Sequence, residues 1–241
     1  MQFDQQLTEK IMATKKKPKA SIENNDNLIT RTSRKVLTPK SQNQADYIAS
    51  IFNNDITICH GPAGSGKTAI AVGVACTLLL HEKIEKIIIT RPTIDTGKDL
   101  GSLPGTFSEK IHPYLVPVLD EMTLYLGADK LNAYKNANVI DVCPLQYMRG
   151  RNFHNCFMIL DESQNATFQQ IKMFLTRIGN NSKAVLNGDL TQSDLPAYAQ
   201  GGFNKCIERL VDIEGLAICH LEISDIVRHG IIHKILAKLA D

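Results

Sequence analysis

Eight residues constrain this chain more than any others. Gly61-Pro62-Ala63-Gly64-Ser65-Gly66-Lys67-Thr68 satisfies the spacing G-x-x-x-x-G-K-[ST] at every fixed position. The apolar run Ile56–His60 before it reads as a strand. The stretch Thr68–Leu80 after it is apolar nearly all round (Ile70, Val72, Val74, Leu78, Leu79) and reads as a buried helix. A glycine loop between strand and helix is built to hold phosphate. Glycines let the backbone approach the anion without a Cβ in the way. The loop N–H groups and the helix N-terminus turn partial positive charge toward it. In a nucleoside triphosphate site, Lys67 would stand near the β and γ phosphates and Thr68 would offer a hydroxyl to Mg²⁺. All eight residues, Gly61 to Thr68, are therefore candidate nucleotide-binding positions.

Such a loop needs an acidic partner at the end of another strand. Phe157-Met158-Ile159-Leu160-Asp161-Glu162 supplies one: a buried apolar strand with carboxylates at its exit. Asp161 is the expected metal holder, and Glu162 the expected general base that orients an attacking water. Adjacent carboxylates favour the branch of phosphate-loop proteins in which an extra strand separates the loop strand from the acid strand. Ala184-Val185-Leu186-Asn187-Gly188-Asp189-Leu190-Thr191-Gln192 fits that strand and its exit. Asn187, Asp189 and Gln192 are candidates to sense the γ-phosphate, and Gln192 is favoured because an amide both donates and accepts.

The rest of the chain alternates in the same way. Further strands are expected at Lys86–Thr90, Val139–Cys143, Lys183–Asn187 and Leu216–Ile223. Helices are expected at about 107–126, 166–178, 203–212 and Ile231–Leu239. Strands alternating with helices imply an α/β fold with a mostly parallel sheet covered on both faces. With 241 residues, 43% of them hydrophobic, there is material for one sizeable core over 37–241. Residues 1–36 show no sustained apolar period and centre on Lys15-Lys16-Lys17-Pro18-Lys19, so they read as a flexible basic arm. Residues 1–40 hold nine Lys/Arg against four Asp/Glu, and the remainder 18 against 21. An electrostatic contact to nucleic acid, a docking strap for a neighbouring subunit and a solvated tail all fit the arm. The six cysteines show neither C-x-x-C nor zinc-finger spacing and read as small buried residues in a reducing compartment. No run has the length of a membrane span, and no secretory leader is visible. The expected location is the cytoplasm.

Several segments together resemble the PhoH family of ATPases, similar in their core to one RecA-like helicase domain. Thr90-Arg91-Pro92 follows the second strand. Gly101-Ser102-Leu103-Pro104-Gly105 resembles the family's LGFLPG, with Ser for Phe, and Lys110-Ile111-His112-Pro113-Tyr114 its KI-x-PY. Met148-Arg149-Gly150-Arg151 precedes the acid strand. Leu160-Asp161-Glu162-Ser163-Gln164-Asn165 resembles LDEAQN, with Ser for Ala. Asn187-Gly188-Asp189-Leu190-Thr191-Gln192-Ser193-Asp194-Leu195-Pro196 resembles TGDLTQIDLP, and Asp225-Ile226-Val227-Arg228-His229 resembles DVVRH. The likeness runs from about 38 to 235.

That resemblance implies a RecA-like P-loop NTPase using ATP and Mg²⁺, a homo-oligomeric ring commonly described as hexameric, and action on RNA or single-stranded DNA. It also implies a possible nuclease partner, since relatives are fused to an RNase-type domain for which the length here leaves no room. Small lone versions of the family are common in bacteriophage genomes, an origin that so compact a chain suits, with the cytoplasm of a bacterium or phage-infected host as the expected location. Gln44 resembles the helicase glutamine that reads adenine. Arg228 is the leading arginine finger, supplied across a subunit boundary because one lobe cannot enclose its own site. His229 is expected to pack rather than catalyse. Arg91, Lys98, Lys110, Arg149 and Arg151 are candidate nucleic-acid contacts, with the long Gly/Pro-rich segment 92–113 as the substrate-facing region; for Arg91 a phosphate contact stays open, and for Arg149 and Arg151 fingers and surface salt bridges. Two rivals remain. A nucleotide-gated module that recruits a protein partner would hydrolyse ATP indifferently to nucleic acid. A small-molecule kinase would share the loop but carry an arginine-rich lid in place of the strand-end Asp-Glu and downstream Gln.

Overall fold

A computed structural model describes residues 35–92 and 107–226, the side chains of 107–114 excepted. In chain order the main elements are α1 (Gln42–Asn53), β1 (Ile56–His60), α2 (Lys67–Leu80), β2 (Lys86–Thr90), α3 (Phe107–Leu126), α4 (Ala128–Asn136), β3 (Ile140–Val142), β4 (Cys156–Leu160), α5 (Phe168–Leu175), β5 (Lys183–Gly188), α6 (Gly202–Arg209) and β6 (Leu216–His220). The six strands form one sheet in the order β3-β2-β4-β5-β1-β6, with every pairing parallel. β5 lies between the phosphate-loop strand β1 and the acid strand β4, as the adjacent carboxylates imply.

Side-chain alternation along the strands divides the core into two layers. Cys59, Ile87, Ile89, Phe157, Ile159 and Val185 face α1, α2, α3 and α4. Ile58, Ile88, Met158, Leu160, Ala184 and Leu186 face α5, α6 and the segment through Leu145, Met148 and Phe153. A parallel sheet buried on both faces presents its C-terminal edge as the place for a ligand. α2 buries residues on every face, which accounts for its lack of a polar stripe.

The sequence-based boundaries differ from the structure in a few places. β6 stops at His220 because Leu221 turns into the core and Glu222 opens a 3₁₀ turn, Ile223–Asp225. α5 starts only after Thr167, whose hydroxyl and Gln170 form a capping box. α4 has no counterpart in the sequence reading. It buries only Leu131, so it carries little apolar period, and its signals are the weak ones of Asp129 in the first turn and Lys135 in the last. Within the arm of the sequence reading, the Lys35 N–H donates to Leu124 O at 2.9 Å, and Lys35 pairs with Glu121. The rest of the arm, Lys98, the side chain of Lys110, Arg228, His229 and the helix Ile231–Leu239 lie outside the described residues.

Lys183 is a charged residue inside this frame. It is 2% exposed, and its ammonium donates to Phe52 O at 3.0 Å and Asn54 O at 2.6 Å, closing carbonyls left over at the C-terminus of α1. Burial pulls its pKa down to about 8. The unfolded lysine titrates near ~10.4, so between the two values the folded chain binds fewer protons and its stability rises with pH. Lys183→Met should destabilise by about 2 kcal/mol at neutral pH. Chemical denaturation should show the gap to the parent widening between roughly pH 8 and pH 10.

Candidate nucleotide site

The phosphate loop owes its shape to two glycines. A Cβ on Gly61 would lie 2.3 Å from Leu221 O, and Gly66, at φ 96°, takes a left-handed conformation as the residue before α2. Gly66 gives α2 no side-chain cap. The first amides of that helix therefore keep their donors for a ligand. Lys67 folds back over its own loop, donating to Gly61 O at 2.6 Å and Pro62 O at 2.9 Å.

The acid strand meets the loop across the top of β4. Asp161 is 1% exposed; Thr68 donates from Oγ1 to its Oδ1 at 2.8 Å. Arg91, at the exit of β2, donates from Nε to Oδ2 at 2.9 Å and closes the pair through Nη2. Arg91, a phosphate or nucleic-acid candidate by sequence, is paired with the acid in this structure, where a buried carboxylate demands a counter-charge. Thr68 and Asp161 are both hard oxygen donors. Oxygen donors of this kind suit Mg²⁺, which takes one or two protein oxygens and completes its shell with water and phosphate oxygens.

Glu162 adopts a left-handed backbone, φ 56°, and is exposed at the cleft. A non-glycine residue in that region is uncommon and costs energy unless neighbours hold it. The holder is Gln164. Its Nε2 donates to Glu162 Oε2 at 2.7 Å, and its Oε1 accepts the Asp189 N–H at 3.0 Å. Asn165 repeats the device one residue on, donating to Asp194 Oδ2 at 3.1 Å and accepting the Asp194 N–H at 2.8 Å. The turn after β4 thus grips the loop after β5. Sequence reasoning assigns Gln164 no role; its only signal is its place in the Asp-Glu-Ser-Gln-Asn segment. Gln164→Ala should lower turnover of the proposed reaction by roughly tenfold or more, through misplacement of Glu162. Its melting point should fall by the equivalent of about 1–2 kcal/mol, because the Asp189 amide loses its acceptor.

A cavity of about 490 Å³ opens over this edge, lined by Gln44, Gly64, Gly66, Lys67, Thr68, Arg91, Asp161, Glu162, Asn187, Asp189 and Gln192. Gln192 reaches it from the exposed rim. Gln44 is 4% exposed with both amide ends engaged: Nε2 donates to Ser65 O at 2.9 Å and Oε1 accepts from Lys40 N at 2.9 Å. It braces the phosphate loop as placed. Beneath the loop, His60 stacks on His220 with ring centroids 4.5 Å apart; burial first, then His220 and Lys67, hold His60 below the usual imidazole range. Arg151 pairs with Asp141 at 2.8 Å and lies over the Phe153 ring. Arg151 thus makes a surface salt bridge in this structure, while Arg149 is exposed. All six cysteines are free, five of them buried. No helix among the described residues is long and apolar enough to cross a membrane.

Comparison with known proteins agrees with this geometry. The chain is 44% identical over 206 residues to a PhoH-like protein of Mycobacterium tuberculosis, covering 86% of this chain and 58% of that one. It is 40% identical over 209 residues to a PhoH-like protein of Synechocystis, covering 86% and 64%, and 38% identical over 199 residues to Protein PhoH of Escherichia coli K12, covering 82% and 56%. The chain therefore spans about three fifths of the length of these curated relatives. Among solved structures, the large terminase of a thermophilic bacteriophage superposes with a TM-score of 0.54 at 12% identity, over 85% of this chain and 51% of the terminase. The same terminase in complex with ADP gives 0.52 at 12% identity, over 84% and 50%. These likenesses speak for the α/β P-loop NTPase fold. The PhoH-like protein family profile matches residues 36–240, and with a phosphate loop, an acid strand and an intervening strand all in register, this chain belongs to that family.

Proposed function

We propose that this chain hydrolyses ATP with Mg²⁺ at the boundaries of a homo-oligomeric ring and uses the cycle to remodel RNA or single-stranded DNA. The observation that carries the reading is the convergence of Lys67, Thr68, Asp161 and Glu162 on one cleft at the C-terminal edge of the sheet. The terminase that shares the fold was solved with ADP, which supports a nucleotide in the cleft.

The roles follow from chemistry and position. The loop amides and the start of α2 bind the phosphates, and Lys67 exchanges its loop carbonyls for phosphate oxygens. Thr68 and Asp161 would hold Mg²⁺, which when bound neutralises charge on the phosphates. Glu162 orients the attacking water and takes up its proton at the carboxylate that Gln164 holds. The transferred phosphoryl group builds negative charge that a cation from a neighbouring subunit relieves, and Arg228 is the residue assigned to that role. The exposed Arg149 and the segment after β2, with Lys98 and Lys110, are assigned to nucleic-acid backbone; sites of this kind follow the strand electrostatically.

The test is steady-state ATP hydrolysis with and without single-stranded RNA and DNA. Stimulation by one polymer supports the remodelling reading and names the substrate. Hydrolysis indifferent to every polymer moves the assignment to the nucleotide-gated module and a protein partner such as a nuclease. Subunit sharing is tested by mixing Arg228→Ala with Glu162→Gln subunits. Each is expected to be inactive alone and partly active together, and a mixture that stays inactive removes the shared site.

A further inference from the structure

Charge is divided unevenly between the two faces of the sheet. The segments over the second layer, 145–153, 166–179 and 202–210, hold six Lys/Arg (Arg149, Arg151, Lys172, Arg177, Lys205 and Arg209) against one acid, Glu208. Helices α1 to α4, over the other layer, hold four Lys/Arg against five Asp/Glu. A nearly neutral body thus carries one basic face.

Three of these cations have no carboxylate partner. Arg151 pairs with Asp141, and Arg177 donates to Met173 O and Arg151 O. Lys172, Lys205 and Arg209 are exposed and make no ion pair among the described residues. Glu208 accepts instead from Asn204 Nδ2 at 2.7 Å. Lys205 and Arg209 stand one turn apart on α6, a spacing at which like charges destabilise a helix. Phe168, at the start of α5, offsets that repulsion. Lys205 Nζ lies 5.2 Å and the Arg209 guanidinium 5.3 Å from the centroid of its ring. Lys172, one turn on from Phe168, shares its side of α5. The fold therefore gathers three unanswered cations around one aromatic ring.

Exposed aromatic rings flank this face. Tyr198, in the 3₁₀ turn Ala197–Ala199 just before α6, is 92% exposed. Tyr147 is 55% exposed, in the turn Leu145–Met148 that packs on α5. A lone exposed ring needs no explanation. Rings beside free cations make the combination that single strands use, phosphates following the charges and bases stacking on the rings. The face also adjoins the catalytic turn. A Cβ on Gly202 would lie 2.5 Å from Phe168 N and 2.9 Å from Ala166 O, so α6 starts hard against the chain that leaves Glu162.

We propose that the α5–α6 face binds a single strand of nucleic acid, with Lys172, Lys205 and Arg209 on its phosphates and Tyr198 stacked on a base. The proposal rests on the remodelling reading and gives its polymer a track besides Arg149 and the segment after β2. An acidic protein segment would suit the cations alone. The exposed ring beside them favours nucleobases, every one of which offers a π face.

The experiment measures equilibrium binding of fluorescent oligo-U and oligo-dT, with a non-hydrolysable ATP analogue and Mg²⁺, across a salt series. Polymer-stimulated hydrolysis and thermal melting are read on the same preparations. The parent is compared with Lys205→Glu/Arg209→Glu, with Tyr198→Ala, and with Lys130→Glu/Lys135→Glu on α4 as the control for bulk charge. Charge reversal on α6 should weaken binding by roughly tenfold or more and lower the slope of log affinity against log salt by about 1–1.5. Tyr198→Ala should weaken binding by roughly tenfold with the salt slope unchanged. The α4 control should stay within about twofold of the parent. Where charge reversal also lowers the melting point, Tyr198→Ala decides, because its side chain supports nothing in the fold. Variants that bind like the parent overturn the proposal, and so does an equal loss in the α4 control. Polyglutamate that competes as well as the oligonucleotides also overturns it, in favour of an acidic protein. A parent that binds the polymers with no change in hydrolysis removes the remodelling reading alone, because the face is read at equilibrium. A parent that binds neither polymer removes both.

Discussion

Lys67→Ala should abolish the proposed ATP hydrolysis, with an expected loss of about 10³-fold or more, and leave the fold almost untouched. The size follows from what is removed: a full charge placed where the leaving and transferred phosphates carry theirs, in a site where a single neutral donor is already worth about 10²–10³. Sparing of the fold follows from the contacts. The ammonium donates to Gly61 O and Pro62 O, both carbonyls of its own loop. Losing two partly buried hydrogen bonds within a loop that water can reach should cost no more than about 1 kcal/mol. Steady-state phosphate release and a melting curve on the same preparation check both halves. Full hydrolysis in the variant would move the chemistry out of this cleft. Lost hydrolysis accompanied by a large fall in melting temperature would make Lys67 a structural brace of the loop.

Asp161 differs from Lys67 in its ties. It is as buried as the core around it, yet it is held by Thr68 on one oxygen and Arg91 on the other. Lys67 and Asp161 are both legible in sequence because their spacing to a strand is fixed by local chemistry: a loop must follow β1, and a carboxylate must leave β4. Their partners are not legible. Arg91 reaches Asp161 only because β2 and β4 are neighbours in parallel register, with the Asp161 N–H bound to Thr90 O. Arg151 meets Asp141 for a similar reason, across ten residues of chain that the fold brings back to one edge. The position of β5 can be inferred, since adjacent carboxylates signal an inserted strand. Which polar group at its exit faces the cleft cannot. Asn187, Asp189 and Gln192 are all plausible in one dimension, and only the Tyr47 hydroxyl, brought from α1, decides which way the Asn187 amide points. Gln164 is the same case: an ordinary amide in sequence, it becomes a two-ended clamp only when the loop after β5 lies against the turn after β4.

The second large effect separates binding from chemistry. Glu162→Gln should reduce hydrolysis by about 10²–10⁴-fold while ATP binds as well as to the parent. The substitution keeps shape and length and removes the proton acceptor. It also keeps the local scaffold, because a glutamine oxygen can accept the Gln164 Nε2 hydrogen bond as the carboxylate does at 2.7 Å. The substitution leaves the backbone at φ 56° and its main-chain bonds in place, so the fold should persist. Removing a negative charge beside the phosphates should, if anything, tighten ATP. Equilibrium binding and a single-turnover chase on one preparation resolve the two effects. Tight ATP with almost no product makes Glu162 the base. Retention of more than about a third of the parent rate would exclude it, since general-base catalysis contributes far more than a factor of about three. The role would then pass to Asp189, another carboxylate that lines the cleft and the one whose Oδ2 has no partner among the described residues.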